Sequence, residues 1–471
     1  MSSSKDTSRR LFLKKLGGTT ALMASGSLVL GAASPEQEHQ LLEPVKRVTA
    51  NDKIRIACIG TGIMGFNNLS TALKVDGVEL VGVCDLYDGR LTRAKELYGS
   101  HLFTTRDYRE ILARPDVDAV IVATTDHWHD HISVDAMQKG KAVYCEKPMV
   151  HHIEEGQRVI DTQKKTGKVF QVGSQRQSSI VYEQAKKLYE AGEIGQLNMV
   201  EATMDRFSAL GAWQYSIPPD ASPQTIAWDR YLGDAPKVPF DPVRFFRWRN
   251  YRDYGTGVAG DLFVHLLTGV HFITSSLGPK RIMSSGGLTL WKDGRDVPDL
   301  IMSVLDYPQT AQHPAFQLMM RANFADGSGG GSFIRMVGTE GEIRIGGNDV
   351  TVKRQKLAAA PGYGGWDSFS TFAEATQKEF VQQYEAQYPA ARPEMMAPKE
   401  MTYTAPRGYS EHLDHWTNFF TSLRTGKPVI QDASFGLRAA APSLAANKSY
   451  FEQKMVHWDP VKMKLAKAPK T

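Results

Sequence analysis

Four stretches of this chain carry side chains whose types and spacing could do chemistry. Gly60-Thr61-Gly62-Ile63-Met64-Gly65 is a G-x-G-x-x-G between a β-branched run and a helical stretch, and Asp85 stands 20 residues past Gly65. In that setting the glycines allow a tight turn and close approach to a pyrophosphate, and Ile63 and Met64 open the helix whose N-terminus faces its charge. Asp85, at the end of the next strand, would accept hydrogen bonds from ribose hydroxyls and repel a 2′-phosphate. NAD is therefore favoured over NADP, with Arg90 and Arg93 nearby keeping NADP open.

The second stretch is Glu146-Lys147-Pro148, directly after a strand-like run. Strand carboxyl ends are where doubly wound sheets bind ligands, and a lysine there can stabilise negative charge developing on a substrate oxygen. The third is Gly255 to His265, in which Asp261 and His265 stand at i, i+4. On a helix they share a face, where the carboxylate orients the imidazole and supports its charged form for acid/base work. His271 falls off that face and reads as structural.

The fourth is Asp126-His127-Trp128-His129-Asp130-His131. Three alternating histidines suggest a metal, but the stretch begins where the chain must leave a strand for a helix, and alternation should not persist. No cysteine or carboxylate elsewhere has complementary spacing, so no metal site is expected. A polar rim beside the nicotinamide fits better.

The elements that must position these groups change character along the chain. From about residue 51, strand-like runs at 53–59, 78–84, 118–123, 142–145 and 169–172 alternate with helical stretches, which predicts βαβ units and a parallel, doubly wound sheet. After about 175, runs at 197–204, 281–290, 300–305, 316–324, 331–337 and 341–345 sit between turn signals, which predicts a mostly antiparallel sheet. A Pro- and Gly-punctuated insertion over about 356–410 holds one helix near 371–388, and closing helices follow at 411–424 and 433–453. The fold class is α/β, with a dinucleotide-binding domain at 53–175 and a second domain at 176–460.

The 471 residues carry a formal +5, but Lys5, Arg9, Arg10, Lys14 and Lys15 against Asp6 put +4 of it in residues 1–33. Only +1 remains for the rest, so the arginines 244, 247, 249 and 252, interleaved with aromatics, read as structural or sugar-facing and no nucleic-acid partner is expected. Ser8-Arg9-Arg10-Leu11-Phe12-Leu13-Lys14 closely resembles the twin-arginine export signal, and the diluted apolar stretch 16–33 ends in Gly31-Ala32-Ala33, a plausible cleavage site. That stretch is poor for spanning a bilayer, so the expectation is signal peptide 1–33, linker 34–52, engagement of the twin-arginine machinery, a periplasmic or secreted product and no stable membrane insertion. Cys58, Cys84 and Cys145 form no disulfide framework and read as buried thiols.

Taken in order, the glycine turn, Thr124-x-Asp126-His127-Trp128-His129, Glu146-Lys147-Pro148 and Asp261-x-x-x-His265 resemble the glucose–fructose oxidoreductase / inositol dehydrogenase / MocA family over about residues 51–460. The resemblance implies a Rossmann domain, a C-terminal α/β domain with an open, mainly antiparallel sheet, and homo-oligomers packed through that sheet. It also implies NAD(P)-dependent oxidation or reduction of sugars, cyclitols and their derivatives. By position Lys147 is the substrate-contacting lysine, His265 the general acid/base and Asp261 its companion. Thr124, His129, Glu146, Lys147 and Gln175 fall at the cofactor side of the cleft. Thr125 and Thr268 depart from the family pattern, which often has Pro and Asp there.

Export constrains the reaction, because no NAD pool exists outside the cytoplasm. The cofactor is then held tightly and regenerated within the cycle. Oxidation of a sugar, cyclitol or glycoside hydroxyl is the leading expectation. The alternatives are a redox-recycling NAD-dependent glycosidase or lyase, whose exported branch typically lacks the Glu-Lys-Pro present here, and a non-catalytic sugar-binding protein.

Overall fold

The computed structural model describes residues 53–389 and 395–468. The expected export signal and linker, 1–33 and 34–52, lie outside the described residues.

The β-branched runs form strands β1 (Ile54–Ile59), β2 (Val78–Cys84), β3 (Phe103–Thr105), β4 (Ala119–Val122), β5 (Ala142–Glu146) and β6 (Phe170–Gly173). They pair in parallel in the order β3-β2-β1-β4-β5-β6. Helices such as Ile63–Ala72, His129–Gln138 and Gly156–Thr166 make the crossovers. This is the doubly wound arrangement expected, with strand order reversing beside β1, where such sheets open a crevice at their carboxyl ends. β4 and β6 are buried along their whole length, as strands covered on both faces must be. Cys58, Cys84 and Cys145 are buried free thiols.

The second sheet has ten strands in the order β14-β13-β12-β11-β7-β10-β9-β8-β15-β16. Its strands are β7 (Leu197–Asp205), β8 (Arg281–Gly287), β9 (Leu300–Tyr307), β10 (Phe316–Asn323), β11 (Gly331–Gly338), β12 (Gly341–Ile345), β13 (Asp349–Arg354), β14 (Lys399–Thr404), β15 (Val456–Asp459) and β16 (Lys464–Ala466). β7 and β10 run parallel and the other pairings are antiparallel. One face is packed and the other open: Ile301, Leu305, Leu318 and Met320 point into the core, whereas Met302, Val304 and Met319 are exposed. The open, mainly antiparallel sheet is as expected.

Helices Val264–Thr274 and Ala433–Glu452 cover the inner face. Helix Glu411–Thr425, capped by the Ser410 hydroxyl, returns to the first sheet. Its Trp416, Phe419 and Phe420 are buried in the core formed by Ile56, Ile121 and Tyr144. The insertion holds a strand, β14, besides its helix, which runs Glu374–Gln387.

Candidate active site

The glycine loop leaves β1 through Gly60, whose φ of +88° suits glycine, and a Cβ there would lie 2.6 Å from the carbonyl of Ala123 at the end of β4. A Cβ on Gly65 would meet the Gly60 carbonyl oxygen at 2.0 Å, so helix and loop touch as only glycine allows. A Cβ on Gly62 would have the Arg90 guanidinium as its nearest neighbour, at 3.7 Å. The following helix, Ile63–Ala72, has no side-chain cap and no acid in its first turn. An uncapped helix start facing open space beside an arginine fits a pyrophosphate.

Asp85 is buried at the end of β2 and accepts hydrogen bonds from the Thr61 amide at 2.8 Å and the Tyr87 amide at 3.0 Å, with Arg90 at 3.4 Å. It lines the same cleft, as Gly60, Gly62, Ile63, Met64 and Arg90 do. The cleft encloses about 310 Å³ and continues past Thr124, His129 and Glu146 to Lys147. Its far wall belongs to a long connection after β7 that supplies Tyr215, Phe245, Phe246, Trp248 and Arg249. The residues present thus fit a dinucleotide.

Glu146 accepts from Asn68 at 2.9 Å, and the Lys147–Pro148 peptide bond is cis. The Lys147 ammonium donates to the Asp261 carboxylate at 2.9 Å and to the Asp261 carbonyl at 3.0 Å. Arg249 reaches the same carboxylate oxygen at 3.2 Å and lies over the Trp248 ring. Burial alone would raise the Asp261 carboxyl, but Lys147 and Arg249 hold it well below the usual carboxylate range.

Asp261 and His265 differ here from the expected i, i+4 pair. A π-turn spans Ala259–Phe263 ahead of the helix Val264–Thr274, and π-turns gather at functional sites. The Asp261 carboxylate is taken by Lys147 and Arg249, and no hydrogen bond joins it to His265. Nor does it hold His265 charged. Burial, then Lys147 and Arg176, push the half-buried imidazole well below its ordinary pKa, against an opposing pull from Asp261. His265 is therefore a neutral base at neutral pH. Neither of its ring nitrogens has a protein hydrogen-bond partner among the described residues. His265, Asp261 and Gln175 do not line this volume; Asp261, in the segment that bears His265, is joined to it through Lys147. Gln175 is buried, donating to Tyr144 at 3.3 Å and to the Gly173 carbonyl at 3.1 Å.

The histidines after β4 diverge instead of converging. His129 sets its two nitrogens against the carbonyls of Pro148, at 2.7 Å, and Thr124, at 3.2 Å, clipping the β4 and β5 loops together. His127 faces the Tyr231 carbonyl at 2.9 Å, and His131 lies beside Asp130 and Asp234. Buried Asp126 accepts from the Thr256 amide and hydroxyl, at 3.0 and 2.9 Å, and so ties this loop to the segment that leads into Asp261. Thr268, where the family pattern often has Asp, bonds Ser174 at 2.9 Å. His271 bonds Tyr307 in the core, a structural place.

The sequence reading placed Asp126 only within a polar rim and Arg249 only among four arginines read as structural or sugar-facing, and it gave neither the contacts seen here. Arg249 sits in a run with Arg244 and Arg252, which stack on Tyr251 and Phe451, and nothing in its spacing marks it out.

This fold has counterparts among known proteins. Residues 54–174 match the model of the oxidoreductase family, NAD-binding Rossmann fold, GFO_IDH_MocA. Inositol 2-dehydrogenase of Salmonella paratyphi B is 33% identical over 167 residues, which cover 35% of this chain and 49% of that protein. Alpha-N-acetylgalactosaminidase of Shewanella oneidensis is 32% identical over 177 residues, 34% of this chain and 38% of that protein. The chain thus matches less than half the length of these curated relatives. Among solved structures, a levoglucosan dehydrogenase in complex with NADH and levoglucosan shares the fold with a TM-score of 0.60 at 17% identity, over 86% of this chain and 99% of that one. Over residues 54–174 the chain is thus similar to the NAD-binding Rossmann fold of the Gfo/Idh/MocA oxidoreductase family.

Proposed function

We propose that this protein is an exported, NAD-dependent oxidoreductase that acts on a hydroxyl-bearing carbon of a sugar, cyclitol or glycoside and keeps its cofactor bound through the cycle. One observation carries the reading: the glycine loop, Asp85 and Lys147 line a single cleft, with Lys147 paired to the first turn of the segment that bears His265. Asp85 selects NAD by repelling a 2′-phosphate. A bound nicotinamide supplies the hydride acceptor. The neutral imidazole of His265 takes the substrate hydroxyl proton, and Lys147, with two of its three protons on Asp261, directs the third at the substrate oxygen. Arg249 and Asp261 keep Lys147 in place.

Tight retention is supported by the wall that Tyr215, Phe245, Phe246 and Trp248 raise over the cleft. Export is supported by the arginine pair at positions 9 and 10 in its Ser-Arg-Arg-Leu-Phe-Leu-Lys setting. The exposed Met283, Met302, Val304 and Met319 on the open face of the ten-stranded sheet support a homo-oligomer packed through it.

The test is mass spectrometry of small molecules released on denaturing the purified protein. Stoichiometric NAD(H) is the expected result. NADP(H) overturns the role of Asp85, and an empty protein overturns the retained cofactor.

Similarity to the alpha-N-acetylgalactosaminidase favours a second reading, redox-recycling glycoside cleavage. It predicts a transient reduced-cofactor absorbance together with released aglycone. Net oxidation predicts a band that accumulates, and a binding protein predicts none.

A further inference from the structure

Just past Asp85, the turn that follows β2 is held by a segment from far along the chain. The Leu86 carbonyl accepts from the Ala227 amide at 2.9 Å, and the Asp88 amide donates to the Thr225 carbonyl at 3.0 Å. Between them Tyr87 pairs with Ile226 in an antiparallel bridge. The Tyr87 hydroxyl donates to the Asp220 carboxylate at 2.5 Å. Arg106 spans both sides, donating to the Asp88 carboxylate at 2.7 Å and to the Gln224 carbonyl at 3.0 Å, and Arg230 lies 3.5 Å from Asp107. Beneath these bonds Tyr87 enters an apolar cluster with Ile226, Trp228, Phe245 and Phe246, its ring edge-on to Phe246 at 5.4 Å.

The segment fastened in this way is also a wall of the cofactor cleft. Arg230, Tyr231, Phe245 and Phe246 line the same volume as Gly62, Asp85 and Arg90. A dinucleotide whose ribose meets Asp85 therefore has the turn on one side of its adenosine and the segment on the other. Tyr87, Asp220 and Ile226 do not line that volume, so they fasten the segment without touching what it encloses. One bridge and a handful of hydrogen bonds can open without unfolding either core. Resting on the retained-cofactor reading above, we propose that residues 220–246 are a clasp over the adenosine half of the dinucleotide, and that unfastening it from Leu86–Asp88 sets the rate at which cofactor enters and leaves.

A gate slows entry and exit alike, whereas an ordinary contact with a ligand acts mainly on exit. The test therefore measures both rates on the full protein. Exit is timed by exchange of the bound cofactor for labelled NAD in excess, and entry by the fluorescence change when cofactor-stripped protein takes up NADH. Ile226→Ala, which removes the buried anchor of the clasp, should speed entry and exit together by at least about tenfold and leave their ratio within about threefold. Asp220→Ala, at an exposed position, should speed both to a smaller extent and carries the test if Ile226→Ala does not fold. Rates unchanged in the variants, or exit quickened with entry unaltered, overturn the clasp and leave the retained cofactor standing. Wild-type protein that exchanges its cofactor within seconds overturns both.

Discussion

The ammonium of Lys147 donates to Asp261 twice, to its carboxylate at 2.9 Å and its backbone carbonyl at 3.0 Å, across 114 residues of chain. The end of β5 is thereby tied to the turn that leads into the His265 helix. Asp261 also neutralises Arg249, and its own side chain is buried. Asp261→Ala leaves two sheltered cations unpaired and should cost about 3–5 kcal/mol in denaturant unfolding. Asp261→Asn keeps an acceptor for both and should cost less. A loss under about 1 kcal/mol for the alanine variant would mean that the cations relax to water.

Lys147→Ala and His265→Ala should each lower turnover by roughly 10²–10⁴-fold while the cofactor stays bound. Single-turnover rates and cofactor content, measured on the same samples, separate lost chemistry from lost binding. Unchanged turnover in both variants removes them from the mechanism.

Asp85→Ser should shift cofactor choice toward NADP, because it removes the charge that opposes a 2′-phosphate and frees Arg90, now 3.4 Å from that carboxylate. The expected change in the NADP-to-NAD affinity ratio is at least about tenfold, roughly 1.4 kcal/mol. Titration of cofactor-stripped protein with each nucleotide measures it. An unchanged ratio places the adenosine ribose elsewhere.

Acid should destabilise the protein through its buried neutral histidines. His415 accepts from the Ser178 hydroxyl at 2.6 Å and donates to the Val172 carbonyl at 2.8 Å, and burial pushes it down to about 4 from 6.5. Between those values the unfolded chain binds the proton and the folded one does not. The stability contributed by neutral His415 is complete above 6.5 and is lost as pH falls toward 4. His127, also pushed down to about 4 by burial, adds to the same slope. His415→Gln should flatten the pH dependence of unfolding free energy in this window by up to about 1.4 kcal/mol per pH unit. An unaltered slope would place the titration elsewhere.

What the sequence made legible was local. The glycine turn and Asp85 announce themselves because a tight turn before a helix constrains residue types within a few positions. Lys147 was readable because it follows a buried strand directly. The partners of Lys147 were not, since Asp261 and Arg249 arrive from over a hundred residues away and spacing carries no trace of that meeting. His265 shows the limit of reasoning from one neighbour: an acid four residues earlier argues for a charged ring, yet burial and three cations outweigh it. β3, three residues long, is too short to show a period. β14 is exposed along nearly its whole length and so lacks the alternation that marks a half-buried strand.

Trp416 lies against Tyr144 with ring centroids 3.8 Å apart and planes 19° apart, under the cofactor-binding sheet. Ribosomes deliver Tyr144 long before Trp416, so the nucleotide-binding half emerges with one side of its core uncovered and waits for nearly the whole chain. A fragment ending at residue 175 should be soluble only with difficulty and should bind nucleotide poorly. Completion of the cofactor domain is therefore a late event in synthesis, set by the arrival of the penultimate long helix rather than by the domain's own last strand.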